Sequence, residues 1–132
     1  MKTSLKFAAA IVMTTAFGSF AFAQAMAPAP AKTAQTSKGA ALVDAKGMTL
    51  YTFAKDSAGK SACNGPCAVN WPVLAASADA KASGDWTVVT RDDGSKMWAY
   101  KGKPLYTFKN DTAAGDVKGD GLLSGAWQIA KP

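Results

Sequence analysis

Two stretches of this 132-residue chain carry nearly the same eleven residues. Lys46-Gly47-Met48-Thr49-Leu50-Tyr51-Thr52-Phe53-Ala54-Lys55-Asp56 aligns with Lys101-Gly102-Lys103-Pro104-Leu105-Tyr106-Thr107-Phe108-Lys109-Asn110-Asp111, at a constant offset of 55 and with seven identities. Trp71 and Trp127 follow the two copies at nearly equal distances. Self-similarity of this kind marks one structural unit used twice. A chain this short has room for one core only. The repeat therefore predicts a single domain built of two related halves packed together.

Each copy reads as a β-strand. Leu-Tyr-Thr-Phe is rich in strand formers, and alternation puts Leu50 and Thr52 on one face, Tyr51 and Phe53 on the other. The Lys-Gly pair before each copy fits a tight turn, because Gly accepts positive φ without steric cost. Residues 41–44 can then pair as the preceding strand of the first half. In the second half residues 86–91 alternate, Asp93-Gly94 signals a type I′ hairpin, 96–100 returns, and 104–108 continues the meander. Pro104 lacks a donor, so its strand begins there or lies at an edge. Residues 127–130 make a last short strand. Helical signals are confined to 67–71, stopped by Pro72, and to an Ala-rich patch over 74–81. The predicted fold class is all-β: an antiparallel two-repeat domain, sandwich- or barrel-like, with little helix. Four Trp and three Tyr, with Phe53 and Phe108, supply much of its core.

The first 23 residues read as a secretory signal peptide. Lys2 and Lys6 give the positive start, residues 7–20 the apolar run, and Ala21-Phe22-Ala23 the small-x-small pattern, so cleavage is expected before Gln24. The apolar run falls short of the ~20 residues a spanning helix needs. Residues 24–38, rich in Ala, Pro, Thr and Ser, read as a flexible linker. Residues 39–132 remain as the repeat domain. The location implied is periplasmic or extracellular, with no membrane span after cleavage. The formal charge of +6 comes from 15 basic and 9 acidic residues. Without Lys2, Lys6, Lys32 and Lys38, 11 basic residues stand against 9 acidic ones, a net +2. That charge gives no footprint for nucleic acid.

There is no His, and all nine acidic residues are Asp. Ser-His-Asp and Cys-His catalysis, His-ligated metals and haem attachment are thereby excluded. No cofactor is expected. Cys63 and Cys67, the two cysteines, are separated by Asn64-Gly65-Pro66. That spacing is not the CxxC of thioredoxin-like proteins, and an oxidising destination makes an intramolecular disulfide the default. A redox-active pair and a thiolate metal site stay open as alternatives; the latter would need further soft ligands, and only Met48 and Met97 offer themselves. Asp56 and Asp111 end the two copies. Each is read as accepting backbone N–H groups in the following turn. Gly115-Asp116-Val117-Lys118-Gly119-Asp120-Gly121 fails the EF-hand pattern and reads as a flexible surface loop.

Tyr51-Thr52-Phe53-Ala54-Lys55-Asp56 and Tyr106-Thr107-Phe108-Lys109-Asn110-Asp111 both fit the pattern Yx(F/W/Y)xxD. Over residues 39–130 the chain resembles a family of bacterial secreted proteins and predicted lipoproteins of unknown function that carries this motif. Cys63, Gly65, Cys67, Ala68 and Trp71-Pro72 resemble the family's C-x-G-x-C-A-x-x-W-P segment, and Gly115-Asp116, Gly119, Gly121 and Trp127 its closing stretch. The resemblance implies an exported two-copy domain and no particular activity. No lipobox Cys is present, and Gln128 stands where the family pattern suggests His.

The motif residues Tyr51, Phe53, Asp56, Tyr106, Phe108 and Asp111 are thus expected to build a non-catalytic exported β-domain, binding or structural. Its partner would be an unidentified protein or small molecule. A thiol-redox or electron-transfer accessory working through Cys63 and Cys67 is the alternative, with metal binding a weaker one. An exposed, contiguous group of Tyr51, Tyr106, Trp71 and Trp98 would instead mark an aromatic ligand surface.

Overall fold

The computed structural model describes residues 30–132. The expected signal peptide lies outside them. Each half begins with an antiparallel hairpin. In the first, β1 (Lys32–Thr36) pairs with β2 (Gly39–Val43); in the second, β4 (Trp86–Thr90) pairs with β5 (Lys96–Tyr100). The motif segment follows each hairpin and contains β3 (Tyr51–Phe53) in the first copy. A short helical element comes next, α1 (Pro66–Asn70) in the first half and in the second α2 (Leu122–Gly125), a single turn whose Leu123 and Ser124 are left-handed. A last extended segment closes each half, and in the second it is β7 (Trp127–Ile129).

That last segment does not stay with its own half. β3 pairs with β7, with Phe53 opposite Trp127. The counterpart repeats bond for bond: Ala54 N–H donates to Ala126 and Lys109 N–H to Asn70, while Ala130 N–H donates to Leu50 and Leu74 N–H to Leu105. Each half thus lends its closing segment to the motif strand of the other. Where the copies meet, Tyr51 N–H donates to Tyr106 C=O at 2.7 Å and Tyr106 N–H to Tyr51 C=O at 3.0 Å. This reciprocal pair lies on a pseudo-two-fold axis. Among the described residues the architecture is all-β and antiparallel, with two short helices and no closed barrel.

Five local expectations change. Lys32–Thr36, placed in the linker on composition, is a strand because its backbone pairs residue for residue with β2, from Lys32 opposite Val43 to Thr36 opposite Gly39. The Ala-rich stretch over 74–81 forms no helix: Leu74 and Ala76 donate to Leu105 and Lys96, so tertiary pairing overrides propensity. The turn at Asp93-Gly94 is not type I′. Only Gly94 (φ 85°) has positive φ, and Arg91 N–H reaches Ser95 C=O, the three-residue loop with a glycine bulge. In the second copy the strand β6 is only Lys103–Pro104, because Thr107 then turns its N–H to Pro72 of the other half. Residues 115–121 are tied down rather than loose, as the carboxylates described below show. The sharp turn after them holds Leu123 (φ 53°) and Ser124 (φ 57°) in the left-handed region, about 1–2 kcal/mol of strain for each such residue.

The main core gathers on the axis around Tyr51, Tyr106, Trp71 and Trp127, with Val89, Met97 and Phe108 against them. A smaller cluster packs Leu42, Leu50, Leu105 and Ala130, the Leu pair being equivalent positions of the two copies.

Candidate functional site

The tyrosine of each copy bonds the aspartate of the other. Tyr51 Oη donates to Asp111 Oδ2 at 2.5 Å, and Tyr106 Oη donates to Asp56 Oδ2 at 2.6 Å. The second oxygen of each carboxylate accepts a backbone N–H from the turn beyond it: Ala62 to Asp56 Oδ1 at 2.6 Å, Lys118 to Asp111 Oδ1 at 3.0 Å. The phenols are themselves bonded again, Tyr51 Oη accepting from Gly119 N–H at 3.2 Å and Tyr106 Oη pairing with Ser61 Oγ at 2.6 Å. The turn role read from sequence is present, but it is half of each aspartate's work. Burial, reinforced by the carboxylate each one faces, pushes both phenols above the usual tyrosine range. Burial also raises the Asp56 carboxyl, against donation from Tyr106 and Ala62 and the charge of Arg91.

The aromatic residues cross the axis in the same way. Phe53 stacks on Trp127 (4.2 Å between centroids, 12° between planes), Trp127 on Trp71 (3.7 Å, 5°), and Trp71 on Phe108 (4.3 Å, 26°). Each motif Phe therefore lies on the Trp of the opposite half. Tyr51 meets Trp71 edge-on at 5.3 Å and Tyr106 meets Trp127 at 5.1 Å. Such pairs contribute roughly 0.5–1.5 kcal/mol each beyond the area they bury. Gly119 leaves room for this: a Cβ there would stand 2.6 Å from the Trp71 ring. Trp127 Nε1 is the one buried side-chain donor without an acceptor among the described residues. Tyr51, Tyr106 and Trp71 are buried and only Trp98 is half-exposed, so they form no aromatic ligand surface. A substrate has no approach to either phenol.

Cys63 and Cys67 are joined in a disulfide at the start of α1, with Cα atoms 5.2 Å apart. Pro66 opens the helix, and Gly65 (φ 58°) takes the left-handed backbone that the bend requires. Above the bridge lies Arg91, whose side chain is 4% exposed. Its Nη2 donates to Cys63 C=O at 2.8 Å and to Asn64 Oδ1 at 3.3 Å. Met97, a residue weighed as a soft metal ligand, packs under the guanidinium with Sδ 4.0 Å from Nη1. Sequence reasoning passed over Arg91, although it is the only Arg in a chain with 15 Lys plus Arg. A fixed fork of donors with a permanent charge suits a buried carbonyl site better than Lys does.

The aspartates of the glycine-rich stretch are occupied by backbone donors. Asp116 Oδ2 accepts Thr112 and Ala113 N–H, which holds its carboxyl below the usual range, and Asp120 Oδ1 accepts Ile129 N–H. Among the described residues no three Asp or Cys side chains converge on a common point.

Outside the core, the outward face of the β3–β7 pair forms the floor of an open cleft of about 520 Å³, where Thr52 stands opposite Gln128. Lys38, Lys101, Lys103 and Lys131 line it. A second cleft of about 450 Å³ shares Thr52, Lys101, Lys103 and Gln128 and continues past Phe53 to Ser57. No helix among the described residues is long and apolar enough to cross a membrane.

A family described as a secreted repeat of unknown function matches residues 32–75 and 87–131. The matched segments correspond to the two halves of the structure, each running from its opening hairpin strand into its crossing segment. No curated protein and no solved structure matches the chain. On the strength of those two matches the chain belongs to the family of secreted repeats of unknown function and carries the repeat twice.

Proposed function

We propose that this is an exported, non-catalytic β-domain, acting in the periplasm or outside the cell as a binding or structural module. Residues 1–23 would be its signal peptide, and its folded part would begin at β1. One observation carries the reading: each motif Tyr and Asp is committed to a partner in the opposite half or to a local backbone group, with both phenols fully buried. General acid–base work requires a group within hydrogen-bond reach of substrate. These groups are within reach of each other instead. The test has two parts. Fractionation of cells expressing the full chain, with mass spectrometry, should find a mature protein starting at Gln24 outside the cytoplasm. Turnover of hydrolase or oxidoreductase reporter substrates that disappears in a folded D56N or D111N variant would overturn the non-catalytic reading.

A thiol-redox role has one observation in its favour: the buried Arg91 guanidinium sits on the Cys63 carbonyl, and a nearby cation lowers a thiol pKa. A reduction potential below about −300 mV marks a structural bridge, and a markedly higher one a cycling pair.

A further inference from the structure

We infer that the lysine-lined cleft over the β3–β7 pair binds an acidic polysaccharide chain. The inference rests on the binding reading above and names its site and ligand class. Net charge over the folded part is small, yet four lysines converge on this one cleft from three separate places: the β1–β2 turn (Lys38), the β5–β6 turn (Lys101 and Lys103) and the segment after β7 (Lys131). The acidic residue among them, Asp120, already accepts the Ile129 N–H. In the adjoining cleft Asp56 is held by Tyr106 and Ala62. These donors are neutral, so each carboxylate keeps its charge, and four lysines against two aspartates leave the joined clefts at a net +2.

The turn before β6 fixes where Lys101 stands. Lys101 has φ 51°, in a two-residue turn with Gly102 at φ 81°. Both central residues of such a turn need positive φ, which Asn, Asp or Gly supply with less strain. The equivalent Lys46 of the first copy is not in that conformation; there only Gly47 (φ 82°) is. The difference follows from turn length: the second copy turns on two residues, 101–102, and the first on three, 45–47, where only the glycine needs positive φ. The two-residue turn places Lys101 where the two clefts join, its Nζ 5.1 Å from the centre of the Tyr100 ring.

The chemistry of the lining narrows the ligand. The two clefts, about 520 and 450 Å³, share Thr52, Lys101, Lys103 and Gln128, and a ligand that fills both is a chain, not a single ion. Their floor offers the Thr52 hydroxyl and Gln128 amide, both suited to sugar hydroxyls, and the lining lysines suit carboxylates. Single-stranded nucleic acid requires ring faces on which bases stack. Tyr100 is the one ring lining the lysine cleft; it packs 4.9 Å from Trp86 and has the Lys101 Nζ 5.1 Å from its centre, so the cleft offers no run of ring faces. A uronic-acid polymer meets both the floor and the walls.

The probe is polygalacturonate, with neutral galactan and a single-stranded oligonucleotide beside it, titrated into the full exported chain at low and moderate salt. The expected result is salt-sensitive binding of polygalacturonate, no binding of galactan, and an affinity at least tenfold lower in K101Q/K103Q. The exposed pair Lys81 and Lys109, outside the cleft, supplies the charge-matched control K81Q/K109Q, expected within twofold of the parent. No binding, equal losses in both variants, or preference for galactan or the oligonucleotide would overturn the assignment. Shortening of the polygalacturonate during titration would leave the cleft standing and defeat the non-catalytic reading instead.

Discussion

Replacing Tyr51 by Phe removes one hydroxyl and leaves the ring packing in place, so its effect isolates the bond that crosses the axis. The hydrogen bond to the Asp111 carboxylate is of the charged class, about 1.5–3 kcal/mol. Asp111 is 6% exposed and would keep only the Lys118 N–H. Gly119 N–H, also buried, would lose its acceptor, adding about 1 kcal/mol. The sum is roughly 2.5–4 kcal/mol, a large part of a small domain's stability. Y106F should cost less, about 2 kcal/mol, because Asp56 is half-buried and water can replace its lost donor. With a urea slope of about 1.5 kcal/mol per molar, Y51F should lower the unfolding midpoint by about 2 M. Equilibrium urea unfolding followed by Trp fluorescence measures this. A double-mutant cycle then tests the crossing itself. Tyr51 with Asp111, from different copies, should couple by about 1.5–3 kcal/mol, and Tyr51 with Asp56, from the same copy, by less than about 0.5 kcal/mol. A larger coupling within one copy than between copies would refute the exchanged arrangement.

Alkaline pH offers a second test of the same groups. Both phenols titrate higher in the folded chain than at the unfolded value near 10, so the folded state keeps two protons that the unfolded chain releases above that pH. Stability is therefore undiminished below pH 10 and falls above it, by about 2.7 kcal/mol per pH unit for two groups; urea midpoints at pH 8 to 11 should show it, and a flat profile counts against it. Replacing Cys63 and Cys67 by Ala should cost about 2 kcal/mol for so short a loop, read as a drop of roughly 8–16 °C in calorimetric Tm. Gly119→Ala should destabilise by about 1–3 kcal/mol through overpacking and perturb the near-UV circular dichroism of the Trp71–Trp127 stack, since its Cβ would stand 2.6 Å from Trp71. Arg91→Lys keeps the charge but not the fork that serves Cys63 and Asn64, and urea unfolding should show a loss of about 2 kcal/mol.

The sequence revealed the repeat, the strand of the first copy and the cysteine bridge because each is a local signal, whereas the strand expected over 104–108 stops after Pro104. Alternation around Tyr51 and Tyr106, Gly before each copy and a short cysteine spacing need no knowledge of the partner. The exchange between halves was not legible, since a tyrosine and an aspartate five residues apart suggest a bond within the copy as readily as one between copies. β1 was lost to composition: Lys-Thr-Ala-Gln-Thr carries no apolar face, and only pairing with Gly39–Val43 makes it a strand. The lysine cleft was hidden for a similar reason. Net charge averages over a surface, whereas Lys38, Lys101, Lys103 and Lys131 meet only after two turns and the chain end fold together. Arg91 had a signal that was overlooked, its singularity among lysines.

The pseudo-symmetry separates folding from specificity. Positions that match across the axis, Tyr51 with Tyr106, Phe53 with Phe108, Asp56 with Asp111 and Trp71 with Trp127, all lie in the crossed bonds or the ring stack. They make corresponding contacts because each supports the other half, although burial and the second partner of each phenol differ between the two sides. A site for one ligand has to break that correspondence, so it belongs where the copies diverge. After the tryptophans, Pro72 in one half faces Gln128 in the other; before the motif strands, Met48 and Thr49 correspond to Lys103 and Pro104. Lys46 and Lys101 share identity but not backbone conformation. Of these divergent second-half positions, Gln128, Lys103 and Lys101 all border the same cleft, and Pro104 borders its extension. The remaining differences within the repeat, Ala54 against Lys109 and Lys55 against Asn110, put Lys109 and Asn110 at a separate shallow depression. What singles out the cleft over the β3–β7 pair is the four lysines that reach it, whereas the tyrosines and aspartates of the motif are committed to holding the halves together.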